Sequence, residues 1–139
     1  MRIVSIGLLA ALISCAFTLQ AKPPEDREAA AKLIGTWMIR PDDYASIMGA
    51  GIYTFRRDGT YSAQGSVKFR DHYVTVEGQG NWRIVKGVLI EDVTKSSVPE
   101  IVPIGRTYHD ILLAVTDEEC WVRAEDGTEH IWTRFKPQN

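Results

Sequence analysis

IYTFRRDGTYSAQGSVKF, running from Ile52 to Phe69, is the stretch whose reading decides the fold. Asp58-Gly59 stands between two runs rich in β-branched and aromatic residues, and Asp-Gly in that setting is a strong short-range signal for a hairpin. Tyr53 and Phe55 share a face on the first arm; Tyr61, Ala63, Gly65, Val67 and Phe69 share one on the second. The device recurs downstream. Lys86-Gly87 separates the runs Gly80 to Val85 and Val88 to Thr94, and Asp126-Gly127 separates Glu119 to Glu125 from Thr128 to Phe135. Between them lie a polar, proline-containing segment, Lys95 to Gly105, and a long run, Arg106 to Val115, that ends at Thr116-Asp117. Upstream, Leu33, Gly35, Trp37 and Ile39 alternate at period two until Pro41-Asp42-Asp43 breaks the pattern, and Gly49-Ala50-Gly51 marks Tyr44 to Gly51 as a loop. No long amphipathic helix is available to cover an open sheet, so closure is the expected answer to the edge-strand problem. The predicted fold class is all-β: a small antiparallel up-and-down β-barrel of about eight strands, preceded by a short N-terminal helix and a signal peptide.

The first 21 residues differ in kind from the rest. Arg2 supplies a positive start, Ile3 to Leu19 is apolar or small, and Gln20-Ala21 gives way to Lys22-Pro23-Pro24-Glu25. These are the parts of a secretory leader. The apolar run is at the lower limit for a transmembrane span and lacks a charge on its far side. Cleavage after Ala21 is expected. The alternative is lipidation at Cys15, because Leu12-Ile13-Ser14-Cys15 matches the lipobox of bacterial lipoproteins, although Ala16 to Leu19 continues the apolar run where such proteins carry a polar tether. The organisation expected is therefore 1–21 signal peptide, 22–32 linker and short helix, and 33–139 barrel domain. The expected location is periplasmic or secreted, with membrane attachment only if Cys15 is lipidated.

Composition narrows the function. The chain holds 16 basic and 18 acidic residues, a net charge of −2, and its longest basic cluster is Arg56-Arg57. That balance argues against a nucleic-acid partner, which calls for a clustered basic face. Of the two cysteines, only Cys120 would remain after leader cleavage, so no disulfide framework is possible; it reads as a buried structural thiol. The three histidines, His72, His109 and His130, show no two-histidine metal spacing and are expected to face solvent. No nucleophile elbow or phosphate loop is present. We expect no enzyme activity, no metal and no cofactor.

Five features in order resemble the lipocalins and related lipocalin-like bacterial proteins, a calycin-type group. Leu33-Ile34-Gly35-Thr36-Trp37 is similar to their Gly-x-Trp opening. Tyr53 to Tyr61 resembles the hairpin common in bacterial members, and Gly80 to Ile84 their mid-barrel strand. Thr116-Asp117 and Arg134 fall where the family carries a Thr-Asp pair and a late arginine. The resemblance implies that Arg134 packs on Trp37 and closes the barrel. It also implies a barrel that holds a small apolar or amphipathic ligand. Inward aromatics with polar tips suit the wall of such a site, and Tyr53, Tyr61, Trp82 and Trp121 are the candidates. The rival reading is an envelope protein-binding module, of inhibitor or immunity type. It would act through a surface loop, for which Lys95 to Gly105 is the candidate.

Overall fold

A computed structural model of the chain describes residues 25–40 and 48–137. The leader with Cys15, and the break at Pro41-Asp42-Asp43, lie outside the described residues. The order of elements is α1 (Asp26–Leu33), β1 (Gly35–Ile39), β2 (Met48–Phe55), β3 (Thr60–Phe69), β4 (His72–Val85), β5 (Val88–Ser96), β6 (Thr107–Val115), β7 (Glu119–Arg123) and β8 (Glu129–Arg134). Each strand pairs antiparallel with the next, and β8 returns to β1 through the pairs Trp37↔Arg134 and Met38↔Thr133, giving a closed up-and-down barrel.

Two strands run further than the sequence pattern predicts. β2 begins at Met48, inside the expected loop, because Gly51 pairs with Gly65 and a bulge between Met48 and Gly51 carries the ladder past the small residues. β4 begins at His72 because β3 and β4 are joined by a tight turn at Arg70-Asp71, with Phe69 opposite His72. Arg70 adopts φ 56° there, a left-handed conformation without a glycine to announce it.

Closure fixes which residues face inward, since side chains alternate along each strand. The interior face includes Trp37, Phe55, Trp82, Leu89, Leu112 and Trp132, all buried. With Ala29 and Leu33 of α1 they fill one end of the barrel. The helix lies across that end, packed against β4 and β6, and is held at both of its own ends. At its start the Asp26 carboxylate accepts hydrogen bonds from the backbone N–H groups of Lys86 (2.7 Å) and Gly87 (2.8 Å). Those two residues form the β4–β5 turn with φ of 52° and 75°, as a two-residue hairpin with matching twist demands.

Arg134 secures the helix at its other end. Its guanidinium donates to the carbonyl oxygens of Lys32 (2.5 Å), Ile34 (3.0 Å) and, across the β6–β7 turn, Asp117 (2.6 Å). The first two are among the carbonyls that a helix C-terminus leaves without partners. The planar group also lies over the Trp37 ring, 4.2 Å from its centroid. Trp37 in turn donates its indole N–H to Leu33 O at 2.8 Å. Gly35 makes the arrangement possible: its φ is 130°, and a Cβ there would come within 2.5 Å of the guanidinium.

Replacing Arg134 by Ala should cost about 2–4 kcal/mol, through lost charge-assisted hydrogen bonds and the ring contact. Arg134→Lys should recover little of it, because an ammonium cannot span three carbonyls from a planar fork. In urea titrations of Arg134→Ala, Trp37→Ala and the double variant, the losses should be non-additive by at least about 0.5 kcal/mol. Strict additivity would mean that the two side chains do not act together.

Candidate functional site

The opposite end of the barrel is hollow. A cavity of about 520 Å³ reaches from the aromatic layer to the end away from α1. Its space follows from the side chains that β2, β3 and β4 turn inward. Gly51, Ala63, Gly65 and Gly78 line it and project almost nothing. Gly80, next along β4, allows a bulge and a close approach: a Cβ there would overlap the Asp92 carbonyl and press on the Tyr61 ring.

The base of the cavity is aromatic. Tyr53 stacks on Trp132 with centroids 5.5 Å apart and on Tyr61 at 6.3 Å. Phe55 lies beneath, stacked on Trp132 at 6.1 Å and edge-on to Trp82 at 5.5 Å. Among the described residues the Trp132 indole N–H has no hydrogen-bond partner; Trp132 is held by its stacking on Tyr53 and Phe55.

Of the four residues expected to form a ligand wall, Tyr53 and Tyr61 line the cavity. Trp82 and Trp121 require correction. Trp82 points inward but belongs to the packed end, donating its N–H to Arg56 O at 3.0 Å. Trp121 is 42% exposed on the outer face, because its neighbours Cys120 and Val122 take the inward positions of β7; its N–H donates to Glu119. His130 also departs from expectation. It is buried, lines the cavity and shares a 2.7 Å hydrogen bond with Thr128 Oγ1, whereas His72 and His109 are exposed. The Lys95–Gly105 segment does not simply project: Ile101 and Val102 turn toward the lumen and line its outer end. Cys120 is fully buried, and burial pushes its thiol up to about 12, which makes it unreactive core.

Sequence reasoning passed over the most unusual members of the site, two carboxyl groups inside the barrel. β5 turns Leu89, Glu91 and Val93 inward, so Glu91 occupies a core position and is only 5% exposed. β6 turns Tyr108 and Asp110 inward. Glu91 pairs with Tyr108 and Leu89 with Asp110, which makes the two acids diagonal neighbours on one face. Burial, reinforced by the nearby Asp110 charge, pushes Glu91 up to about 8. Burial and the Glu125 and Asp126 charges push Asp110 up to about 6. The next residue on β5 shows the contrast: Asp92 faces outward, where a hydrogen bond from Thr107 and another from Arg83 hold its carboxyl below the usual range. The signal was present in Leu89-Ile90-Glu91-Asp92-Val93, where one acid keeps step with the apolar face.

No family model and no curated protein matches the sequence. Among solved structures, the chain is similar to the crystal structure of a lipocalin-like protein from Bacteroides uniformis ATCC 8492. The identity is 18% and the TM-score 0.48, covering 75% of this chain and 99% of that one. It is also similar to the crystal structure of an uncharacterized protein from Bacteroides eggerthii DSM 20697. There the identity is 17% and the TM-score 0.46, covering 74% of this chain and 99% of that one. The architecture, a closed eight-stranded barrel wound strand by strand, is lipocalin-like.

The interior acids set a pH dependence with a definite sign. Glu91 moves from an ordinary 4.5 to about 8, and Asp110 from 3.8 to about 6. Over that window the folded state keeps protons that the unfolded chain releases, so stability is greatest below it and falls as pH rises toward 8. Carboxyls held low, such as Asp92, act in the opposite sense but only below their ordinary range. Urea unfolding of the ligand-free protein should lose about 1–3 kcal/mol between pH 5 and pH 8. Glu91→Gln should remove at least half of that slope and be the more stable form at pH 8. An unchanged slope would place the proton uptake elsewhere.

Proposed function

We propose that the protein is an exported carrier or sensor that binds one small apolar or amphipathic molecule inside its barrel. The observation that carries this reading is the cavity itself. At about 520 Å³ it falls in the range of small-molecule sites, and its walls combine aromatic faces with a few convergent polar groups. Packing supports the same view. One end of the barrel is filled by α1 and three buried tryptophans, while the other is lined in part by glycine and alanine where larger side chains would have filled it. Rigid rings at the base would meet an apolar group without losing side-chain freedom on binding. The outer end is lined by Ile101 and Val102 from the β5–β6 connection, so that segment would act as part of the pocket.

Export is part of the proposal and rests on the leader pattern in residues 1–21. Intact-mass measurement on protein recovered from a cell envelope should give a chain starting at Lys22. A diacylglyceryl mass on Cys15 would instead make it a membrane-anchored lipoprotein.

Binding is checked with the uncharged fluorophore N-phenylnaphthylamine. It should bind saturably at one site with enhanced emission. Ala63→Trp, which fills the lumen from β3, should weaken it at least about tenfold while the protein still melts cooperatively. Binding that ignores a filled lumen, or fails to saturate, would overturn the reading.

A further inference from the structure

We infer that the ligand is a cation: an amine or related group whose charge is held by Glu91 and Asp110 while its apolar body lies on the aromatic base of the cavity. The inference deepens the lumen-binding proposal and rests on it.

Glu91 carries the argument. It is 95% buried, lines the cavity, and has neither a hydrogen bond nor an ion pair among the described residues. Buried carboxyls ordinarily find donors or a counter-charge, because leaving one without them is costly. Here the surroundings offer no cation. Tyr61 faces it from β3, Tyr108 and Asp110 from β6, and Cys120 lies nearby on β7; these are neutral or acidic groups. The basic side chains that line the cavity are otherwise engaged. Arg106 pairs with Glu125 at 2.7 Å, and His130 hydrogen-bonds to Thr128. Asp126 adds a further acid at the outer end. A carboxylic acid or phosphate ester would bring a second negative charge to these groups, and a plain hydrocarbon would leave Glu91 unsatisfied. An ammonium supplies donors and charge together, and tyrosine rings tolerate a cation on their faces.

Proton linkage follows. Without a cation, burial keeps Glu91 largely protonated near neutral pH; an ammonium beside it favours the carboxylate, so binding should expel a proton.

The experiment uses two matched probe sets, decylamine with decanol and decanoate, and phenethylamine with phenylethanol and phenylacetate, each titrated calorimetrically at pH 6, 7 and 8. The amine of at least one set should bind at least about tenfold tighter than its alcohol at pH 8. That preference should shrink at pH 6, and heats in buffers of different ionisation enthalpy should show proton release. Glu91→Gln, and separately Asp110→Asn, should erase the preference while still binding the alcohol. Alcohols or acids that bind as well as amines would overturn the head-group assignment and leave lumen binding standing. If no member of either set binds and N-phenylnaphthylamine also fails, the lumen reading fails and this inference falls with it. If only the fluorophore binds, the cation assignment alone is lost.

Discussion

The guanidinium of Arg134 donates to three backbone carbonyls, two at the end of α1 and one in the β6–β7 turn, and covers the face of Trp37. A closed barrel needs its first and last strands to meet, and the loop entropy of joining residues about a hundred positions apart must be offset by something specific. Arg134 supplies that. It lies opposite Trp37 in the β1–β8 pair, reaches the end of α1 through Lys32 and Ile34, and reaches the β6–β7 turn through Asp117. One side chain thereby ties the seam of the barrel to the helix that seals its end. Gly35 has to be a glycine for the same reason, since both its φ and the nearby guanidinium leave no place for a Cβ.

With one end sealed, the rest of the interior is divided by side-chain size. Large residues cluster near α1: Trp37, Phe55, Trp82 and Trp132. Small ones cluster at the far end of β2, β3 and β4: Gly51, Ala63, Gly65 and Gly78. Ring stacking between Tyr53, Trp132 and Tyr61 forms the boundary between the two. The cavity is therefore a consequence of composition along particular strands. Close packing at the helix end supplies the stability that an empty end does not.

Much of this was legible because the turns advertise themselves. Asp58-Gly59, Lys86-Gly87 and Asp126-Gly127 each place glycine at a positive φ, and the strands they separate were readable from them. Arg70-Asp71 makes an equally tight turn without glycine, so the first half of β4 was invisible to the same logic. Face assignment was harder than strand assignment. Trp121 looks like a core residue by chemistry, yet Cys120 and Val122 outrank it by position; in a five-residue strand, parity cannot be averaged over enough positions to overrule a large aromatic. His130 and Glu91 are the converse: polar residues whose parity places them inside. Reading chemistry before parity misplaces both kinds, because alternation is imposed by the pleat whatever the side chain.

Glu91 and Asp110 make the hollow end more than unfilled space. A carboxyl held up to about 8 in the folded state favours the folded protein when protonated and weighs against it when ionised. The shift corresponds to a few kcal/mol, a sizeable part of the 5–15 kcal/mol that typically separates folded from unfolded domains. A leucine at position 91 would continue the apolar face of Leu89 and Val93 without that burden. The arrangement is tolerable because the tryptophans, the helix and the Arg134 network hold the other end by contacts in which the acids take no part. A barrel built this way can keep an under-satisfied polar group in its lumen without loosening its frame. Such a group is also worth most to a partner that satisfies it: a cation placed beside Glu91 would gain its charge-assisted contact and relieve the strain of the ionised form in the same event. The sealed end and the acidic lumen are therefore complementary, the rigidity of the first allowing the second to remain poised.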